Sequence, residues 1–150
     1  MLAFRTMIRD LTARDSESVR RLLSDAPEAA QWCLEDLCSA SQTNFSWRVA
    51  EEEGAVCGLV VFRIAGDEAE ILNLAVDLSR RRRGTGSQLM QDAIQACQAA
   101  GVTRIFLEVR NSNECARKFY MRMGFSEAGR RRQYYREPLE DALVLVRKVE

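Results

Sequence analysis

Three features of this sequence combine residue types that could do chemistry. The first is Glu108, set inside the run Ile105-Phe106-Leu107-Glu108-Val109-Arg110. An unpaired carboxylate is costly to bury in an apolar strand, so it must pair, sit at an opening or take up a proton. It can be half of a structural ion pair with a nearby Arg, or it can be a general base. The second is Tyr120, on an apolar helical stripe. Such an aromatic commonly packs in the core, yet its hydroxyl wants a partner when buried and carries a transferable proton. The third is Arg81-Arg82-Arg83-Gly84-Thr85-Gly86, between an expected strand and an expected helix. Glycines let a backbone approach a ligand closely. The free N–H groups and dipole of the helix behind them favour an anion, and arginines add charge-assisted contacts. The same run also fits a plain solvated turn.

Composition narrows the chemistry. The chain has no His, so Ser-His-Asp and Cys-His catalysis are excluded and acid–base work falls to Asp, Glu, Tyr, Lys or Cys. Its five cysteines, Cys33, Cys38, Cys57, Cys97 and Cys115, are odd in number and have no C-x-x-C spacing. Without His they give no zinc pattern, so no metal is expected, and they read as reduced, mostly buried thiols. Formal net charge is zero, with arginines bunched at Arg80–Arg83 and Arg130–Arg132 and Arg136 close behind. Balanced charge with local Arg clusters suggests a phosphate-bearing small ligand more than a nucleic acid. No apolar run reaches membrane-spanning length and Met1–Thr6 has no signal-peptide pattern, so a cytoplasmic location is expected. The length of 150 residues suits a single domain spanning residues 1–150.

The elements that must hold these groups are set by periodicity. Met7–Leu11 reads as a short strand, and Thr12 caps a helix with Asp15 as its capping-box partner. A second helix is expected over about Glu28–Ala40. Trp47–Glu51, Val56–Ala65 and Glu70–Val76 read as strands, and the short turns Glu53-Gly54 and Gly66-Asp67 argue for an antiparallel meander. Leu89, Met90, Ala93, Ile94 and Cys97 fall at helical spacing and Gly101 stops that helix. Arg104–Val109 is a strand. Ala116, Phe119, Tyr120 and Met123 mark a helix closed by Gly124, and Ser126–Tyr135 and Ala142–Lys148 are the last strands. The order β-α-α-β-β-β-α-β-α-β-β implies an α/β (α+β) fold.

Asn73-Leu74-Ala75-Val76-Asp77, with the Arg81–Gly86 loop after it, fits the pattern Q/R-x-x-G-x-G/A behind a strand. With Leu107-Glu108-Val109-Arg110, Ser112-Asn113, Phe119-Tyr120, Gly124-Phe125 and Arg131-Arg132-Gln133-Tyr134-Tyr135 before Pro138, the stretch Asn73–Asp141 resembles the GNAT N-acetyltransferases. Within them it resembles the ribosomal-protein-alanine (RimI-type) branch. Leu78, Cys115 and Phe119 depart from the pattern, where Pro, Ala and Leu are common.

The resemblance implies a mixed, mostly antiparallel, seven-stranded sheet with about four helices on both faces, splayed between strands 4 and 5. It implies acetyl-CoA as cosubstrate. Leu74-Ala75-Val76 and Asn113 would hold the pantetheine arm, Leu74 and Val76 through their backbone. Arg81, Arg82, Arg83, Gly84, Thr85, Gly86 and Ser87 would cradle the pyrophosphate. Glu108 would be the base and Tyr120 the acid, next to the cosubstrate. Trp32, Asn73, Glu108, Tyr134 and Tyr135 fall on the acceptor side. The implied reaction moves an acetyl group to a primary amine, the α-amine of a protein such as a ribosomal protein. An amine is mostly protonated at neutral pH, so a carboxylate base is useful, and the departing thiolate needs an acid. The alternatives are a GNAT enzyme acting on a small-molecule amine or a lysine, and a non-enzymatic RNA- or ribosome-binding module. The expected partners are acetyl-CoA and a peptide or protein N-terminus, with no membrane and no direct nucleic-acid contact.

Overall fold

The computed structural model describes residues 5–24, 45–81, 83–136 and 138–150. Seven strands form one sheet. They are β1 (Thr6–Asp10), β2 (Phe45–Glu52), β3 (Ala55–Ala65), β4 (Glu68–Val76), β5 (Arg104–Arg110), β6 (Ser126–Arg136) and β7 (Leu139–Lys148), in the spatial order β1-β2-β3-β4-β5-β7-β6. The described helices are α1 (Ser16–Ser24), α2 (Thr85–Ala99) and α3 (Glu114–Arg122). About four helices were expected. Three are present among the described residues, and the expected helix over Glu28–Ala40 lies outside them.

The meander β1–β4 is antiparallel throughout. Glu53 and Gly54 both have positive φ (52° and 79°), as the tight turn between β2 and β3 requires. The sheet's two faces carry separate apolar clusters. Val19, Leu22 and Leu23 of α1 pack with Trp47, Val49, Leu59, Val61 and Ala75 on one face. Leu89, Met90, Ala93, Ile94 and Cys97 of α2 pack on the other with Val60, Phe62, Ile71, Ile105, Leu107, Leu143 and Leu145. Leu74, Val76, Phe119 and Tyr120 join this second cluster from its margin. Helices thus cover both faces.

Two details position the site. Gly58 of β3 lets α2 lie close, because a Cβ there would fall 2.8 Å from Leu89 Cδ1 and 3.3 Å from the Ala75 carbonyl oxygen. The parallel ladder between β4 and β5 is short. It runs from Glu68↔Arg104 to Ile71↔Leu107 and stops, although both strands continue. Beside that end the β3–β4 register shifts, with Val61 opposite Asn73 and Phe62 opposite Ile71, which leaves Leu72 without an opposite residue. A bulge of this kind bends a strand and re-aims the residues beyond it. Past Ile71 the two strands part, and β5 is held instead by β7 along its whole length, from Arg104↔Lys148 to Arg110↔Ala142. The expected splay between strands 4 and 5 is therefore present.

Candidate active site

Glu108 is the first residue of β5 beyond its last partner on β4. Its neighbours Leu107 and Val109 enter the cluster under α2 and α3, so strand alternation turns Glu108 to the opposite face. The side chain is 16% exposed, and Arg131 Nε of β6 lies 2.9 Å from its Oε1. The Arg131 side chain is itself 60% exposed, so the pair sits at an opening and is not sealed in the core. The nearby Glu108 carboxylate, helped by burial, raises the Tyr134 phenol above its ordinary value. The Tyr134 ring lies under the Arg131 guanidinium, 5.5 Å from it, and meets the Tyr135 ring edge-on at 5.1 Å.

Tyr135 links this group to Tyr120. Burial first, and then the Glu108 charge, push the Tyr135 phenol up to about 12. Burial, with a smaller contribution from Tyr135, pushes the Tyr120 phenol up to about 12. Tyr120 packs edge-on between Phe119 and Phe125, with centroids 5.4 and 5.9 Å away. The Tyr120 ring thus packs at the margin of the core, and its phenol keeps its proton well above neutral pH. The Arg110 guanidinium stacks 4.1 Å over the Tyr135 ring and pairs with Glu140, whose carboxylate also accepts from the Ser112 N–H at 2.5 Å. These contacts fix the entry to α3.

The basic glycine loop enters α2 as expected. Gly84, at φ 83°, is the residue before the helix, and Thr85 and Gly86 form its first turn. Arg81 and Arg83 are exposed, and Arg81 Nε donates to the Val76 carbonyl at 3.3 Å. Gly86 faces the aromatic end of α3, and a Cβ there would sit 3.6 Å from Phe119 and 3.7 Å from Val76. The basic glycine loop, the end of β4 and the Tyr120 helix thus converge. Leu78, in the turn Leu78–Arg80, is exposed and does not disturb this.

The remaining candidates are spread over several elements. Asn113 caps α3, its Oδ1 accepting from the Ala116 N–H at 3.2 Å. Asn73 is buried in β4 opposite Val61. Leu74 and Val76 border the α2 cluster, whereas the Ala75 side chain points to the α1 cluster, which leaves only its backbone to the gap. Trp32 and Arg82 lie outside the described residues. Cys57 and Cys97 are buried thiols, pushed up chiefly by burial, and Cys115 is exposed. Among the described residues no cluster of His, Cys, Asp and Glu could hold a metal ion. No described helix is long and apolar enough to cross a membrane.

A model of the acetyltransferase (GNAT) family matches residues 6–125. The chain belongs to this family. Solved structures share the fold. The ribosomal-protein-S18-alanine N-acetyltransferase from Escherichia coli superimposes with a TM-score of 0.85 over 97% of this chain and 95% of that one, at 27% identity. Ard1 from Thermoplasma volcanium superimposes with a TM-score of 0.88 over 99% of each chain, at 28% identity. By sequence, the ribosomal protein bS18-alanine N-acetyltransferase of Escherichia coli K12 is 35% identical over 96 residues. That stretch is 63% of this chain and spans 65% of the relative's length.

Sequence reasoning missed Glu52, Arg131 as the partner of Glu108, and the close approach at Gly58. Glu52 stands in the run Glu51-Glu52-Glu53 and looks like part of a solvated turn. Its signal was parity, because it lies two residues beyond Ala50, which faces α2.

Proposed function

We propose that this GNAT chain transfers the acetyl group of acetyl-CoA to a primary amine, the N-terminal α-amine of a protein. Glu108 is the base and Tyr120 the acid. One observation carries the reading: Glu108 is the first residue of β5 after the β4–β5 ladder ends. The gap that opens there has the anion loop and Tyr120 at one side and Glu108 with Tyr134 and Arg131 at the other. It is the route by which groups on opposite faces of the sheet reach one reacting centre.

The arriving amine, as its ammonium, competes with Arg131 for the Glu108 carboxylate and gives up its proton there, directly or through water. The neutral nitrogen attacks the thioester carbonyl, and a backbone N–H of the unpaired β4 edge stabilises the oxyanion. As the C–S bond breaks, Tyr120 gives its proton to the sulfur. Its raised pKa keeps that proton in place until a thiolate develops. Leu74 and Val76 hold the pantetheine arm, and Gly84–Ser87 with Arg81 and Arg83 hold the pyrophosphate.

The acceptor class is supported by the Escherichia coli relative, which is named for acetylating an alanine of a ribosomal protein. It is also supported by what surrounds Glu108. Arg131 and two tyrosines, not a cluster of acids, make a poor fit for a small polyamine. The test is Glu108→Gln. Loss of a general base costs about 10²–10⁴-fold in turnover, so kcat should fall by that much while acetyl-CoA still binds in calorimetry. An unchanged kcat at neutral pH would remove Glu108 from the base role.

A further inference from the structure

Glu52, at the end of β2, is 1% exposed and is held on several sides. Its Oε1 accepts from Thr6 Oγ1 at 2.8 Å and from Thr85 Oγ1 at 3.4 Å. Its Oε2 accepts from Arg80 Nη1 at 2.9 Å and lies 3.9 Å from Arg83 Nη1. Burial works to raise this carboxyl, and the hydrogen bonds from Thr6, Arg80 and Thr85 with the Arg80 charge outweigh it, so it stays ionised at neutral pH. Three of its partners flank or lie within the basic glycine loop. Thr85 is the first residue of α2, Arg83 precedes Gly84, and Arg80 closes the turn that leads in.

Such a contact set has a specific consequence. Four consecutive arginines repel one another, and a loop carrying them pays to order itself around an anion. A buried anion beneath the loop neutralises part of that charge and fixes the turn before any ligand arrives. It also commits Arg80, whose side chain is 24% exposed, to an internal partner.

We propose that Glu52 is a positioning residue for the phosphate loop, pre-ordering Arg83 and Thr85 and withdrawing Arg80 from phosphate contact. This rests on the reading of Arg81–Ser87 as the pyrophosphate cradle. Arg80 then acts only through Glu52, while phosphate contact falls to the backbone N–H groups of α2 and to the arginines after Arg80.

The experiment compares two donors, acetyl-CoA and S-acetylpantetheine, which lacks the pyrophosphate and nucleotide. The readout is the ratio of their kcat/KM values. Glu52→Gln should lower that ratio about tenfold, because only the pyrophosphate-bearing donor uses the loop. Arg80→Met should lower it similarly, and the double variant should be no worse than either single one, since the two act as a unit. A ratio within twofold of the parent in Glu52→Gln would overturn the proposal. So would additive losses in the double variant, which would make Arg80 a direct phosphate ligand. If Glu52→Gln does not fold, Glu52→Asp, which shortens the side chain away from its partners, takes its place in the same comparison, with the same outcomes deciding. A parent enzyme that uses both donors equally would instead refute the cradle reading itself.

Discussion

Gly58→Ala is the substitution whose effect the structure sets most narrowly. The added Cβ would lie 2.8 Å from Leu89 Cδ1, 3.3 Å from the Ala75 carbonyl oxygen and 3.4 Å from Thr85 Cγ2. Leu89 is fully buried, so its methyl has no open space to turn into, and the second contact is backbone. The strain must lift the N-terminal turn of α2 or shift β4. Overpacking of this kind costs about 1–3 kcal/mol. For a chain of this size that lowers Tm by about 2–12 °C, at roughly 2–4 °C per kcal/mol. Since Thr85 opens α2 beside the anion loop, KM for acetyl-CoA should rise several-fold while KM for the acceptor holds. Thermal melting by circular dichroism and initial-rate kinetics read the two effects. An unchanged Tm would refute the packing argument, and a lowered Tm with an unchanged acetyl-CoA KM would refute the link between Gly58 and the loop.

Tyr120→Phe should lower the transfer step about 10²-fold or more while acetyl-CoA binding persists. A full-rate Phe variant would return Tyr120 to a purely packing role. All three tyrosines are raised, Tyr120 and Tyr135 up to about 12, so ultraviolet titration of the folded enzyme should show every phenol ionising late and Tyr120→Phe should remove one of the latest. The folded pKa values of Tyr120 and Tyr135 lie above the ordinary 10. The associated stability is therefore intact below about pH 10 and lost as pH rises from about 10 to about 12. Stability that is flat through that window would contradict the burial of both phenols.

The fold was legible in the sequence where the period was clear. The strand-like runs Val56–Ala65 and Glu70–Val76 between short turns, and the helical spacing of Leu89, Met90, Ala93, Ile94 and Cys97, match β3, β4 and α2. Glu108 and Tyr120 were legible as chemistry because a carboxylate and a phenol in apolar company are costly. Arg131 was not, since strand order 5-7-6 is a tertiary fact and the Arg131 side chain, opposite Ala142, reaches Glu108 across the intervening β7. Glu52 was hidden by its two acidic neighbours, which make the end of β2 look like a solvated turn. Strand β7 begins at Leu139, ahead of the expected Ala142, because Pro138, Glu140 and Asp141 have the composition of a loop. In the structure Glu140 is tied to Arg110 and Ser112, and Asp141 to Arg130 and Gln133, so polar partners hold the strand from Leu139.

The central claim is that an α-amine accepts the acetyl group. The direct measurement is thiol release from acetyl-CoA with short peptides, some beginning with Ala, offered with free and with blocked N-termini. Turnover confined to free N-termini, with blocked lysine-containing peptides inert, is the predicted result. Turnover on blocked peptides through lysine, or none on any peptide while acetyl-CoA binds, would contradict it.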